Sequence, residues 1–116
     1  MKIIFPILLF VSHSFFCLGQ NKMKFYEDTV KMKQEVFSYI PIGTDSARAC
    51  QIMSESKFEF VGNYVNETFL YGRNIDFLFF IHDEGVIFCM NRWKIALVHK
   101  NAKVTDVQVQ FVIICL

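Results

Sequence analysis

Residues 93–111 read WKIALVHKNAKVTDVQVQF, and apolar and polar side chains alternate through much of this run on both sides of Asn101. Alternation marks a strand with one buried face, so two antiparallel strands joined by a tight turn are expected. The side chains also set the register, because a slip of one residue sends a strand's whole apolar set to the other face. A two-residue loop at Asn101-Ala102 puts Ile95 opposite Gln108 and Leu97 opposite Asp106, which mixes core with solvent. A three-residue loop, Asn101-Ala102-Lys103, instead pairs Trp93 with Phe111, Ile95 with Val109, Leu97 with Val107 and His99 with Thr105. This second register is preferred, with one loop residue in a left-handed conformation. Four residues further along it, Cys89 stands opposite Cys115, where a disulfide is geometrically allowed unless a bulge near Asn91-Arg92 breaks the alignment.

Upstream of this hairpin the β-rich composition begins after Lys57, and strands are expected over residues 58–65, 75–82, 86–99 and 104–114. A turn at Asp83-Glu84-Gly85, with Gly85 supplying a positive φ, sets His82 opposite Val86, Ile81 opposite Ile87, Phe79 opposite Cys89 and Ile75 opposite Trp93. Odd-numbered residues then line one face across three strands. The even-numbered face carries Asp76, His82, Arg92 and Lys94, but also Leu78, Phe80, Phe88 and Met90. Those four apolar residues are the candidate binding surface, a patch on the order of a few hundred Å². The alternative reading has them covered by the loop over residues 66–74 or by the N-terminal helix.

Two helices precede the strands. Over residues 24–40, Phe25, Met32, Val36, Tyr39 and Ile40 recur at separations built from three and four, and Pro41 ends the helix. Glu27 and Asp28 precede Lys31 in the order that favours helix-surface ion pairs. Thr44 or Asp45 is expected to cap a second, short helix over residues 46–56 that carries Ala49, Ile52 and Met53 inward, with Cys50 beside them. The expected fold is therefore α+β and two-layered: two N-terminal helices packed on a four-stranded antiparallel meander.

The first nineteen residues, MKIIFPILLFVSHSFFCLG, have the pattern of an export signal: Lys2, an apolar run from Ile3 to Val11, and small side chains at Cys17 and Gly19. Cleavage is expected before Gln20, leaving residues 20–116 as a single periplasmic or secreted domain. A retained leader would instead tie the domain to a membrane, although Pro6 and Ser12-His13-Ser14 keep the apolar stretch below the roughly 20 residues of a bilayer span. Lipidation at Cys17 is disfavoured by the bulky Phe16. The chain holds 12 Lys plus Arg against 11 Asp plus Glu, and loss of Lys2 balances it, so composition offers no reason to expect a nucleic-acid partner. Of four cysteines, Cys50, Cys89 and Cys115 remain, an odd set that suggests one bridge and one free thiol.

Motifs that carry chemistry are scarce. His82-Asp83-Glu84 brings together an imidazole and two carboxylates, yet adjacent side chains on a turn diverge, and neither a metal nor a cofactor is expected. Gly-rich phosphate loops, zinc-type cysteine pairs and hydrolase elbows are absent from the sequence. Asn66-Glu67-Thr68 fits a glycosylation acceptor in form only.

The run Pro41-Ile42-Gly43-Thr44, followed by Ala47, Met53 and Phe58-Glu59-Phe60, then Arg92-Trp93-Lys94-Ile95 and Lys103-Val104-Thr105-Asp106-Val107, resembles small exported bacterial proteins of uncharacterised function. More loosely it is similar to the outer-membrane-assembly small lipoproteins of the BamE/SmpA type, in which a Gly-containing turn starts a short helix and a helix pair packs on an antiparallel sheet. The resemblance implies architecture and compartment and transfers no binding residue. The expected function is non-enzymatic: an exported binding or envelope-accessory module with a protein partner, in which a homodimer is allowed. Alternatives are a toxin-neutralising or enzyme-inhibiting protein and, third, a thiol-active small enzyme.

Overall fold

The computed structural model describes residues 23–85 and 87–116; the expected leader, its cleavage site before Gln20 and Cys17 lie outside the described residues. Two helices, α1 (Thr29–Tyr39) and α2 (Ser46–Glu55), are followed by four strands, β1 (Glu59–Glu67), β2 (Ile75–Gly85), β3 (Cys89–Lys100) and β4 (Lys103–Cys115). The strands form one antiparallel sheet in the order β1-β2-β3-β4, so the fold is α+β.

The β3–β4 ladder has the expected long-range register. Trp93 pairs with Phe111, Ile95 with Val109, Leu97 with Val107 and Cys89 with Cys115, with no irregularity near Asn91-Arg92. The turn itself differs from expectation. Lys100 pairs with Lys103, so the loop is the two residues Asn101 and Ala102, both left-handed at φ 54° and 61°. That backbone suits the twist of a two-residue hairpin. A register shift next to Val98/His99 then absorbs one residue, and His99 faces Val104 rather than Thr105. The bulge reverses the parity of β4 and turns Val104 into the core, where it is fully buried.

The β2–β3 register corrects the expected one. Strand β2 does not turn at Asp83-Glu84-Gly85 but runs through them, so that Phe80 pairs with Ile95, His82 with Trp93 and Gly85 with Met90. Relative to the expected pairing this is an odd shift of seven residues, which inverts the strand. Leu78 and Phe80 therefore point at the helices and are buried in the core, and cannot belong to a binding surface. The physical reason is the sequence of β2: Phe77, Leu78, Phe79, Phe80 and Ile81 are apolar at both parities, so alternation inside the strand does not say which face is inward. Packing decides it, seating Phe80 among Ile95, Val109 and the helices.

Phe77 and Phe79, turned to the other face, are covered as well. Tyr64 stacks on Phe77 with ring centroids 5.2 Å apart, and Phe69 meets Phe77 and Phe79 edge-on at 5.4 Å each. The Leu70 amide donates to Gln108 Oε1 at 3.3 Å, which helps fold the loop after β1 onto this face. The sheet thus has a main core under the helices and a smaller aromatic layer under the loop.

Helix α1 is shorter than the expected 24–40. Asp28 Oδ1 accepts from the amides of Val30 (2.9 Å) and Lys31 (3.2 Å), so the residue expected to ion-pair with Lys31 caps the helix instead. Residues before it are extended across the sheet. Asp45 occupies the N-cap position of α2 without a side-chain cap bond, and Thr44 Oγ1 donates back to the Pro41 carbonyl. The Ser46 amide donates instead to the Ala102 carbonyl, while Gly43 and Thr44 exchange backbone bonds with Val104. This short pairing ties the interhelix turn to the start of β4. Gly43, at φ +94°, is the left-handed residue that lets the chain turn there.

Phe80 fills the middle of the main core and is fully buried. Phe80→Ala is expected to lower unfolding free energy by about 3–5 kcal/mol, read as a drop in the urea midpoint at unchanged slope.

Candidate interaction surface

Helix and strand lengths explain where the sheet is left bare. α1 has 11 residues, about 16 Å of helix. β4 has 13 residues, about 43 Å of strand. The helix layer therefore cannot cover the sheet from end to end. At the Asn101-Ala102 end it is tied down by Gly43 and Thr44, and it extends only to the row His82-Trp93-Phe111.

That row is closed by the extended segment before α1. Phe25 stacks on the His82 ring (centroids 3.9 Å, planes 14° apart) and packs against Phe58 and Trp93 at 5.3 Å each. The Trp93 Nε1–H donates to the Tyr26 carbonyl at 2.7 Å, which satisfies the buried indole. His82 Nδ1–H donates to the Lys57 carbonyl (2.9 Å), and its Nε2 faces Glu84 Oε2 at 3.1 Å. On the opposite face, Arg92 grips Asp83 through two hydrogen bonds, Nε to Oδ1 at 2.7 Å and a second nitrogen to Oδ2 at 2.9 Å. Asp83 is thus on the other side of the strand from His82 and Glu84. His82 and Glu84 face each other while Arg92 holds Asp83 on the opposite face, so the three side chains do not converge on one point.

Beyond this row β2, β3 and β4 project past the helices. Between Gly85 and Cys89 lie Ile87 and Phe88, 86% and 71% exposed, and at the adjoining end of β4 stand Ile113 and Ile114, 60% and 40% exposed. Cys89 and Cys115 are joined by a disulfide, and the Leu116 amide donates to the Phe88 carbonyl at 2.9 Å. The end of the sheet is consequently a stapled ledge that displays apolar side chains to solvent.

Of the residues expected to form a binding patch, Phe88 and Met90 lie at this end, with Met90 half-buried, while Leu78 and Phe80 are core. Ile87, Ile113, Ile114 and Leu116 are also exposed at this end and were not among the expected site residues. Their sequence signal is an excess of apolar residues over the faces available: 111–114 is Phe-Val-Ile-Ile, apolar at both parities, where one covered face accounts for only half.

Cys50 carries a free thiol, and burial pushes its pKa up, away from the thiolate a nucleophile needs. At the far end of the sheet, a shallow cleft of about 460 Å³ is lined by Arg73, Asp76, His99 and Lys100 among others, which suits charge and hydrogen-bond contacts. No family model matches the chain, and no curated protein or solved structure matches it either.

Two outcomes test the rigidity of the ledge. The bridge spans a sequence separation of 26, and in the loop-closure picture it contributes about 3.5 kcal/mol. Reduction, or the Cys89→Ser/Cys115→Ser pair, is expected to lower the denaturation midpoint accordingly. The hydrogen bonds from Arg92 hold the Asp83 carboxyl below the usual aspartate range. With the folded value depressed, this contribution is present above the ordinary aspartate pKa and vanishes as pH falls through the folded one. Because both side chains are about one-third exposed, Arg92→Met should cost no more than about 1 kcal/mol at neutral pH. In an NMR titration it should return the Asp83 carboxyl to the ordinary range.

Proposed function

We propose that this protein is a non-enzymatic binding module, exported by its N-terminal leader to a periplasmic or extracellular setting, that docks a protein partner on the stapled apolar end of its sheet. The observation that carries this reading is the exposure of Ile87 and Phe88 on a connection held by Cys89–Cys115. A folded chain gains nothing from leaving a Phe and an Ile in water, whereas an aromatic side chain presented on a rigid support is a favourable anchor for a partner's pocket. The charges of Asp83 and Arg92 neutralise each other, and Glu84 stands against His82 at the margin of the ledge. The likeness to small exported bacterial proteins, and loosely to the BamE/SmpA-type lipoproteins, agrees in architecture and compartment.

The alternative, a toxin-neutralising or enzyme-inhibiting protein, is favoured by the same projecting loop, since a stapled loop with a protruding aromatic suits insertion into a cleft. Partner number separates the two. An inhibitor keeps one dominant partner under dilution, whereas an accessory module exchanges among several.

The test is affinity capture from the native host's envelope fraction with wild type, Phe88→Asp and Val65→Asp, the last on an exposed site of β1. Phe88→Asp should weaken the dominant interaction by about 30-fold or more and change stability by no more than about 0.5 kcal/mol. Val65→Asp should leave binding intact. Identical capture by wild type and Phe88→Asp would remove the ledge from the function.

A further inference from the structure

The two edges of the sheet are treated differently, and the difference points to a second copy of this chain. Edge strand β1 is interrupted by irregularities between Phe60 and Gly62 and between Tyr64 and Glu67. It also carries Glu59 and Glu67 at its ends. Bulges and charge are how proteins keep an edge from recruiting another strand. On β4 the ladder from Asp106 to Cys115 has no irregularity, and residues 107–115, VQVQFVIIC, hold no ionisable side chain, glycine or proline.

The backbone groups that this edge presents follow from the ladder. In an antiparallel pair, opposed residues alternate between hydrogen-bonded pairs with Cα atoms about 5.5 Å apart and non-hydrogen-bonded pairs about 4.5 Å apart. Cys89 and Cys115 are 4.0 Å apart, which places them in the second kind. Counting back by twos along the unbroken register, Ile113, Phe111, Val109 and Val107 are of the same kind, so their amides and carbonyls point away from β3. Two contacts agree: the Val107 amide donates to Asp106 Oδ1, and Val104, re-phased by the bulge, exchanges its outward bonds with Gly43 and Thr44. From Val109 to Ile113 the outward amides have no backbone partner among the described residues.

We infer that two copies of the chain pair antiparallel along β4, about a two-fold axis at Gln110, to make one continuous eight-stranded sheet. That axis is the midpoint of the outward-facing residues from Val107 to Ile113 and engages all of them once the Val107 amide leaves Asp106 Oδ1. It sets Val109 against Phe111 of the second copy, Val107 against Ile113, and Gln110 against itself. Apolar residues meet apolar residues on the helix-bearing face. An uncharged run meets its own copy without like-charge repulsion, whereas β1 would bring carboxylates together. The two stapled ledges are carried to opposite ends of the joined sheet, leaving Ile87 and Phe88 free on each copy. This pairing rests on the ladder geometry; it takes in Ile113 at the margin of the ledge and does not depend on what Ile87 and Phe88 bind.

The test is the mass of the purified protein by sedimentation and light scattering, with wild type, Gln110→Lys and Gln110→Glu. Wild type should double in mass as concentration rises. Each charged variant, which opposes like charges at the axis, should stay a single chain with an unchanged circular dichroism spectrum, and an equal mixture of the two should recover the doubled mass. Wild type that remains a single chain up to its solubility limit overturns the inference. Dimers equally strong in both variants place the interface elsewhere and overturn it, and a mixture that stays monomeric overturns the axis. Should a Gln110 variant misfold, Ile113→Pro removes an outward amide that β3 does not use and must weaken the dimer. Independently, hydrogen exchange at the Val109, Phe111 and Ile113 amides must slow as the dimer forms; rapid exchange in a demonstrated dimer rejects strand pairing.

Discussion

Opposing Trp93, Ile95 and Leu97 to Phe111, Val109 and Val107 is the constraint to which the rest of the domain is fitted. Those side chains make the floor of the main core, and any slip of one residue would exchange them for Lys94, Gln108 and Gln110. Maintaining this register while closing the hairpin through a two-residue turn leaves one residue too many. The bulge that takes it up brings Val104 inward and presents its backbone to Gly43 and Thr44, which docks the turn between the helices. At the other end the same register brings Cys89 to Cys115. The helix pair and the staple are thus positioned by one ladder.

Against that floor, β2 supplies apolar side chains to both faces. Leu78 and Phe80 complete the core under the helices, and Phe77 and Phe79 require a second cover, which Tyr64, Phe69 and the loop after β1 provide. Neither layer is large. The segment before α1 adds the stack of Phe25 on His82 and the bond from Trp93 to the Tyr26 carbonyl, sealing the helix layer where it ends.

Helices of ten and eleven residues rise about 1.5 Å per residue, less than half the 3.3 Å of the strands beneath them. The strands project beyond the helix layer, and their tip exposes Ile87, Phe88, Ile113 and Ile114 beside the Cys89–Cys115 bridge. The smooth, uncharged outer edge of β4 is a second uncovered feature, which meets the ledge at Ile113 and contrasts with the bulged, acid-flanked β1.

Much of this was legible in the residues. Alternation in 93–111, with Val107, Gln108, Val109, Gln110 and Phe111 in strict order, was sufficient for the β3–β4 register and, through it, for the Cys89–Cys115 pairing. Apolar period located both helices, although α1 begins five residues later than the pattern placed it, at the cap Asp28, and with the strands they specified an α+β meander. The turn at Asn101-Ala102 and its bulge were not legible, since loop length and bulge compensate and leave the distant pairing unchanged. The β2–β3 register was not legible either. Five consecutive apolar residues in β2 satisfy both orientations, and Asp83-Glu84-Gly85 resembles a turn as much as a strand end. The binding patch drawn from that register consequently dissolved: Leu78 and Phe80 went to the core, and exposure passed to Ile87, Phe88, Ile113 and Ile114. Sequence patterning thus sufficed for the order of the elements and for the β3–β4 pairing. Where both faces are apolar, orientation was settled by three-dimensional packing, because only the volume available under the helices and under the Phe69 loop distinguishes one face from the other.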